Sequence, residues 1–239
     1  MRHQLRTLVV SFTTLILLTG SLYAGDWPMF RADAARSGYS PDPLPAKLDL
    51  LWTFRSRTRP TPAWPDSSRV TFDLAFQPII IGDTVVFGSS CEDTVVAIDA
   101  RSGRLLWTFF TSGPVRFAPA GWRDRIFAAS DDGWLYAIKI DDGSLLWKHR
   151  GGPNDRMCLG NERMISRWPA RGGPVVTDDI VYYAAGIWPS DGIYLHALNA
   201  RTGRGVWTND SSGQMYMPCL LYTSPSPRDL STSRMPSSA

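Results

Sequence analysis

The 239-residue chain holds 25 Lys and Arg against 22 Asp and Glu, a formal net charge of +3, with 12% aromatic residues, 20 Gly and 18 Pro. Arg2, Arg6, Arg228, Arg234 and Asp229 belong to two terminal segments set apart below, and without them the body balances at 21 charges of each sign. That balance gives no electrostatic ground for nucleic acid or an acidic membrane as a partner.

In chain order, Arg2, His3 and Arg6 precede an apolar run from Leu8 to Leu18, and the small residues Gly20, Ser21 and Ala24 follow. This is the pattern of a secretory signal peptide over 1–24, cut after Ala24, which predicts an exported protein, periplasmic or extracellular, with no transmembrane segment after cleavage. Leu22 suits the position three before that cut poorly, so a cut a few residues away is also open. So is an uncleaved anchor, although the run is short of the ~20 residues of a spanning helix. No cysteine stands at the cut to carry a lipid. A lead-in over 25–50 follows.

Three segments then superimpose without gaps: Ala97–Trp107 (AIDARSGRLLW), Ala137–Trp147 (AIKIDDGSLLW) and Ala197–Trp207 (ALNARTGRGVW). Each begins with strand-like alternation, turns at a glycine (Gly103, Gly143, Gly203) that supplies positive φ, and returns through a tryptophan (Trp107, Trp147, Trp207). The pattern predicts a β-hairpin, and the tryptophans are expected to pack between neighbouring units. Ahead of the hairpins lie paired strand-like runs: Pro78–Ile81 with Thr84–Gly88, Ala118–Gly121 with Arg125–Ala129, and Gly173–Val176 with Ile180–Ala184. Turns at Gly82-Asp83, Arg123-Asp124 and Asp178-Asp179 join the members of each pair.

Four antiparallel strands per repeat make the blade of an all-β propeller. Trp107 and Trp147 lie 40 residues apart, within the ~40–45 of a compact blade, whereas the intervals from Trp52 to Trp107 and from Trp147 to Trp207 are 55 and 60. The extra length enters between blades, where insertions form loops on one face. Leu51-Trp52-Thr53-Phe54 matches Leu106-Trp107-Thr108-Phe109 and is expected to be a lone outer strand. Residues 51–218 thus predict an incomplete propeller of about three blades plus one extra strand.

From Cys219 the chain reads CLLYTSPSPRD, then Leu230, Ser231 and Thr232, then SRMPSSA. The two outer strings resemble a translated sequencing adapter flanking a variable index. Residues 219–239 are therefore expected to be a disordered, non-native extension, with the true frame lost near Pro218.

The repeated Ala-Ile/Leu-Asp-Ala-x-x-Gly-x-x-x-Trp pattern resembles the PQQ-like repeat, which quinoprotein dehydrogenases share with cofactor-free propellers such as the outer-membrane-assembly lipoprotein. Asp26-Trp27-Pro28-Met29-Phe30-Arg31 with Arg36-Ser37-Gly38 resembles the lead-in of large exported members abundant in planctomycete-like bacteria. The resemblance covers about residues 26–217 and is specific for the repeat, not for an activity. Its dehydrogenase branch implies a vicinal Cys-Cys disulfide over pyrroloquinoline quinone (PQQ), a calcium shell of Glu, Asn and Asp, and an Asp base. The chain has no adjacent cysteines, and neither Glu92 nor Asp93 stands in a matching motif.

In an up-and-down blade, the loop between the second and third strands and the blade-to-blade connection emerge at one end. That places Ser89–Asp93, Ser130–Gly133, 185–192 and 150–171 on one loop face. Arg150, Arg156, Arg163, Arg167 and Arg171 lie in the last of these, opposed locally only by Asp155 and Glu162. Arginine forks suit carboxylate or phosphate, so Arg156, Arg163, Arg167 and Arg171 are candidate ligand-binding residues; the alternative is pairing with the Asp-rich turns of neighbouring blades. No catalytic or metal-binding residue is assigned, and no cofactor is expected outside the dehydrogenase alternative with PQQ and calcium. His149 and His196 read as satisfied structural histidines, and Cys91 and Cys158 as small buried thiols, with a disulfide between them left open. The reading is a binding or scaffold module whose loop face takes a protein or carbohydrate partner.

Overall fold

The computed structural model describes residues 25–44, 46–64, 72–160 and 162–211; the predicted signal peptide and C-terminal extension lie outside them. Three four-stranded antiparallel sheets form in chain order: β1 to β4 (Ile79–Ile81, Thr84–Ser89, Thr94–Asp99, Leu105–Phe110), β5 to β8 (Ala120–Trp122, Arg125–Ala129, Trp134–Lys139, Leu145–Arg150), and, after a separate hairpin of β9 (Met157–Gly160) and β10 (Arg163–Ser166), β11 to β14 (Val175–Thr177, Ile180–Ala185, Tyr194–Asn199, Gly205–Asn209). Within each sheet every strand pairs only with its sequence neighbours, which makes the sheet a propeller blade. The innermost strands β1, β5 and β11 stand side by side, so the blades fan into an open arc, as the sequence predicts.

The middle strands are largely buried on both faces, as in Arg125–Ala129 and the β-branched Thr84–Ser89, whereas the outer strands face solvent. The core lies between blades. Ile79, Val86, Val95 and Trp107 pack against Ile126, Tyr136 and Ile138, while Phe127 and Leu135 pack against Val181, Tyr183 and Leu198. A β-bulge recurs at the same repeat position in all three blades, between Ala97/Ile98, Ala137/Ile138 and Ala197/Leu198.

The Gly-to-Trp spacing acts between blades. Each tryptophan lays its ring on the turn glycine of the next blade: Trp52 on Gly103, Trp107 on Gly143 and Trp147 on Gly203. The indole Nε1 of Trp107 donates to Ile140 O at 2.6 Å, and that of Trp52 to Ala100 O at 2.9 Å. At the third interface the Arg125 guanidinium reaches the corresponding carbonyls, Ala200 O at 3.4 Å and Arg201 O at 2.8 Å, and Trp147 Nε1 is buried without a partner. Trp207 has no following blade among the described residues and is 47% exposed. Trp52 therefore takes the inter-blade role expected of the repeat tryptophans, while 51–54, expected as a lone outer strand, pairs with no strand among the described residues.

Gly143 has φ +73°, and a Cβ there would lie 2.8 Å from the Trp107 ring. Left-handed backbone strain and this overlap act together, so Gly143→Ala is expected to lower stability by about 1–3 kcal/mol. Urea denaturation checks it; a midpoint unchanged from the parent would exclude the ring-on-glycine contact as a stabilising element.

The lead-in is part of the fold. Trp27 bridges Ile80 of β1 with two backbone hydrogen bonds of 2.9 Å, Pro28 O accepts from Gly121 N at 2.6 Å, and Arg36 Nη2 donates to Gly173 O at 3.3 Å. The segment thus crosses the inner edges of all three blades, and Met29 joins the core between the second and third.

Candidate functional site

The blade-to-blade connections are laced onto the loops between second and third strands. Val115 N donates to Ser89 O, Asp131 N to Pro114 O, Ser166 N to Asp131 O, and Gly186 N to Pro169 O, at 2.8–3.2 Å. The shared loop face predicted from up-and-down geometry is therefore present.

At its centre is a buried ion network that the sequence reading missed. Asp131 of the β6–β7 loop receives Arg116 Nε at 2.7 Å on Oδ2, and Arg171 on both oxygens at 2.8 Å. Arg116 also donates from Nη1 to Asp73 Oδ2 at 2.7 Å and to Thr61 O at 2.6 Å. The side chains of Arg116, Asp73 and Asp131 are 1–2% exposed and that of Arg171 is 7% exposed. Two guanidinia thus balance two carboxylates away from water, tying Thr61 and Asp73 from ahead of β1, the β4–β5 connection, the β6–β7 loop and the 150–171 insertion together. The remaining oxygen, Asp73 Oδ1, is buried without a partner.

The four candidate arginines are not gathered into one site. Arg171 belongs to this network. Arg163 is ion-paired to Asp93 and donates to Ser90 O at 2.9 Å, so it joins the β9–β10 hairpin to the first blade. Burial raises the Asp93 carboxyl above its usual range, and the adjacent Arg163 works against that. Arg167 is ion-paired to Asp191 of the 185–192 loop, which raises its own pKa. Arg150 lies over the Trp134 ring, 4.9 Å from its centroid. Arg156 has no carboxylate partner among the described residues.

The hairpin and the Ile187–Asp191 loop enclose a cleft of about 300 Å³, lined by Arg156, Met157, Ile165, Arg167 and Trp188 among others. Cys158 also lines it and is exposed, while Cys91 is half-buried with its Sγ 2.7 Å from Thr58 Oγ1. Both thiols are free, which corrects the expectation of buried thiols: Cys158 is on a solvent-facing hairpin and Cys91 on a loop rim. A second cleft, also about 300 Å³, is lined by Phe30, Arg36, Phe72, Gln77 and Phe117 beneath the lead-in.

His149 and His196 stand between the second and third blades with ring centroids 5.0 Å apart. His196 Nε2 donates to Gly151 O at 2.8 Å, its Nδ1 lies 3.1 Å from Thr208 Oγ1, and its ring stacks on Tyr183. His149 Nδ1 meets the Tyr183 hydroxyl at 2.7 Å, and burial lowers its pKa to about 4. The expected structural role holds for both.

The model of the family described as outer membrane protein assembly factor BamB, built on the PQQ-like repeat, matches residues 49–167. The chain belongs to the PQQ-like β-propeller family. Among curated proteins, this PQQ-like propeller is 28% identical over 165 residues to 1-butanol dehydrogenase (cytochrome c) of Thauera butanivorans, covering 62% of this chain and 22% of that one. It is 29% identical over 120 residues to tetrathionate hydrolase of Acidithiobacillus ferrooxidans, covering 50% and 20%. The chain therefore spans about a fifth of the length of these relatives. A europium-containing methanol dehydrogenase superimposes with TM-score 0.58 at 19% identity, over 79% of this chain and 32% of that one. Quinohemoprotein alcohol dehydrogenase from Comamonas testosteroni gives 0.55 at 20% identity, over 77% and 27%. These likenesses establish the fold.

No group of three or more His, Cys, Asp or Glu is placed to hold a metal ion among the described residues, and no described helix is long and apolar enough to cross a membrane. Of the loop-face carboxylates, Asp73, Asp93, Asp131 and Asp191 do not suit a calcium shell, because each carries an arginine counterion. A divalent cation there would have to displace a guanidinium. The central residues Asp73 and Arg116 could have been suspected from Arg116 alone, an arginine between Val115 and Phe117; its carboxylate partners Asp73 and Asp131 lie 43 and 15 positions away, beyond any local pattern.

Proposed function

We propose that this PQQ-like propeller is exported and that its loop face is a non-catalytic docking module for a protein or carbohydrate partner. One observation carries the reading. The central charged side chains of that face are committed to one another in structural ion pairs, while Met157, Leu159, Met164 and Trp188 stand 43–75% exposed around the outer hairpin and loop. Apolar surface gathered beside an unpaired arginine supports binding rather than bond-making. In this reading Arg156 is the cation offered to the partner, and Arg163, Arg167 and Arg171 hold the loops that present it.

The dehydrogenase alternative has support of its own in the likeness to 1-butanol dehydrogenase. One experiment separates them: the purified chain is incubated with PQQ and calcium, dialysed, and assayed for retained quinone and for dye reduction with alcohols and sugars. The docking reading expects neither. Stoichiometric quinone retention with alcohol-dependent dye reduction would overturn it.

A further inference from the structure

We propose, building on the loop-face reading above, that the cleft beside the β9–β10 hairpin binds an extended acidic segment of a partner protein. One large apolar side chain would sit against Trp188 and Met157, with a neighbouring carboxylate on Arg156.

The register of the hairpin sets the surface. Leu159 pairs with Met164 and Met157 with Ser166, so Met157, Leu159 and Met164 share one face, while Cys158 and the buried Ile165 share the other. The first three are 43%, 75% and 57% exposed. Of this face Met157 lines the cleft, and Leu159 lies outside it about 7 Å further along the same strand, so an extended ligand leaving the cleft can continue over Leu159 and Met164. Flexible thioethers adapt to varied apolar side chains, and Trp188, 58% exposed, gives the rigid wall of the cleft.

Charge decides the class of segment. The cleft is lined by two guanidinia, Arg156 and Arg167, and one carboxylate, Asp191. Arg167 and Asp191 cancel in their ion pair, leaving the fork of Arg156 to seek an external carboxylate. A carbohydrate fits less well because the polar groups of the lining are already used. Ser166 Oγ accepts from Trp168 N at 3.1 Å, and the Asp191 backbone carbonyl accepts from Trp168 Nε1 at 2.6 Å.

Fluorescence anisotropy on the full chain tests this with three fluorescein-labelled peptides, whose cores alternate Leu with Glu, Leu with Lys, or Ser with Glu, and with cellohexaose as competitor. The Leu/Glu peptide is expected to bind and the other two to fail. Arg156→Glu and Trp188→Ala should each weaken binding about 10-fold or more, as truncation of a central anchor does, with Arg156→Lys losing less than Arg156→Glu. All these positions are exposed, and an unchanged urea midpoint verifies the fold of each variant. Equal binding of the Leu/Lys peptide, displacement by cellohexaose, or indifference to both substitutions overturns the proposal. So does a dimer in sedimentation that Leu159→Ser dissociates, since a second copy would then cover the face. Leu/Glu binding that resists these changes but is lost in Glu92→Lys overturns the cleft while keeping the loop face as the docking surface. No binding at all, together with PQQ-dependent dye reduction, overturns both.

Discussion

Asp131→Ala is expected to lower unfolding free energy by about 3–5 kcal/mol, the usual effect of removing one partner from a buried ion network. Among the described residues Asp131 is the only carboxylate bonded to Arg171 and, with Asp73, one of two bonded to Arg116, and its side chain is 1% exposed. Its loss leaves Arg171 without a carboxylate among the described residues and Arg116 with Asp73 alone, both guanidinia being buried. The surface pair Arg101–Asp83, at 62% and 58% exposure, provides the contrast: Asp83→Ala should change stability by less than about 1 kcal/mol. Urea denaturation of both variants measures the difference. If Asp131→Ala stays within about 1 kcal/mol of the parent, the network is not what holds the insertions to the blades. Because Asp131 joins its own loop to the β4–β5 connection and the 150–171 insertion, amide exchange in 113–118 and 163–171 should accelerate before that of the strands.

How much of this was legible in the sequence follows from the range of each interaction. The hairpins β3–β4, β7–β8 and β13–β14 were readable because bulge, turn glycine and tryptophan lie within a dozen residues and recur. β6 begins and ends where alternation placed it, at Arg125 and Ala129. β5 and β11 are shifted two residues toward the C-terminus from the expected starts at Ala118 and Gly173. The backbone there is taken by other partners: Ala118 N donates to Gln77 Oε1, and the Gly173 carbonyl accepts from Arg36. The β9–β10 hairpin was hidden inside an insertion read as a rim loop, since its outward Met157, Leu159 and Met164 leave no buried alternation to detect. Likewise Trp27 and Met29 read as lead-in because their partner strands lie tens of residues away. The arginines were legible as a cluster, but their pairing with Asp93, Asp131 and Asp191 is set by the neighbouring loops, and only the fold shows that Arg156, alone of the four candidates, has no carboxylate partner among the described residues.

Acid should loosen the interface between the second and third blades before carboxylate protonation does. His149 has its pKa lowered from 6.5 to about 4 by burial, with the nearby His196 ring acting in the same direction, and burial lowers His196 as well. The phenol of Tyr183 is pushed up by burial and stays protonated at 2.7 Å from His149 Nδ1, so no anion is available there to stabilise an imidazolium. Both imidazoles therefore hold protons less readily folded than unfolded. As pH falls below about 6.5, the unfolded chain takes up protons that the folded chain refuses, and stability present above that pH is progressively lost. For His149 alone the loss approaches about 3 kcal/mol near pH 4. The exposed aspartates with lowered pKa, such as Asp99 and Asp142, act below 3.8, so the decline between pH 6.5 and 4.5 belongs chiefly to the histidines. Replacing His149 with Gln, whose amide can still meet the Tyr183 hydroxyl, removes that proton uptake. Urea midpoints measured from pH 7.0 to 4.5 should fall steeply in the parent and about half as steeply in His149→Gln. Parallel slopes would show that His149 is solvated enough to titrate normally, and that the interface around Tyr183 and His196 is more open than its ring contacts imply.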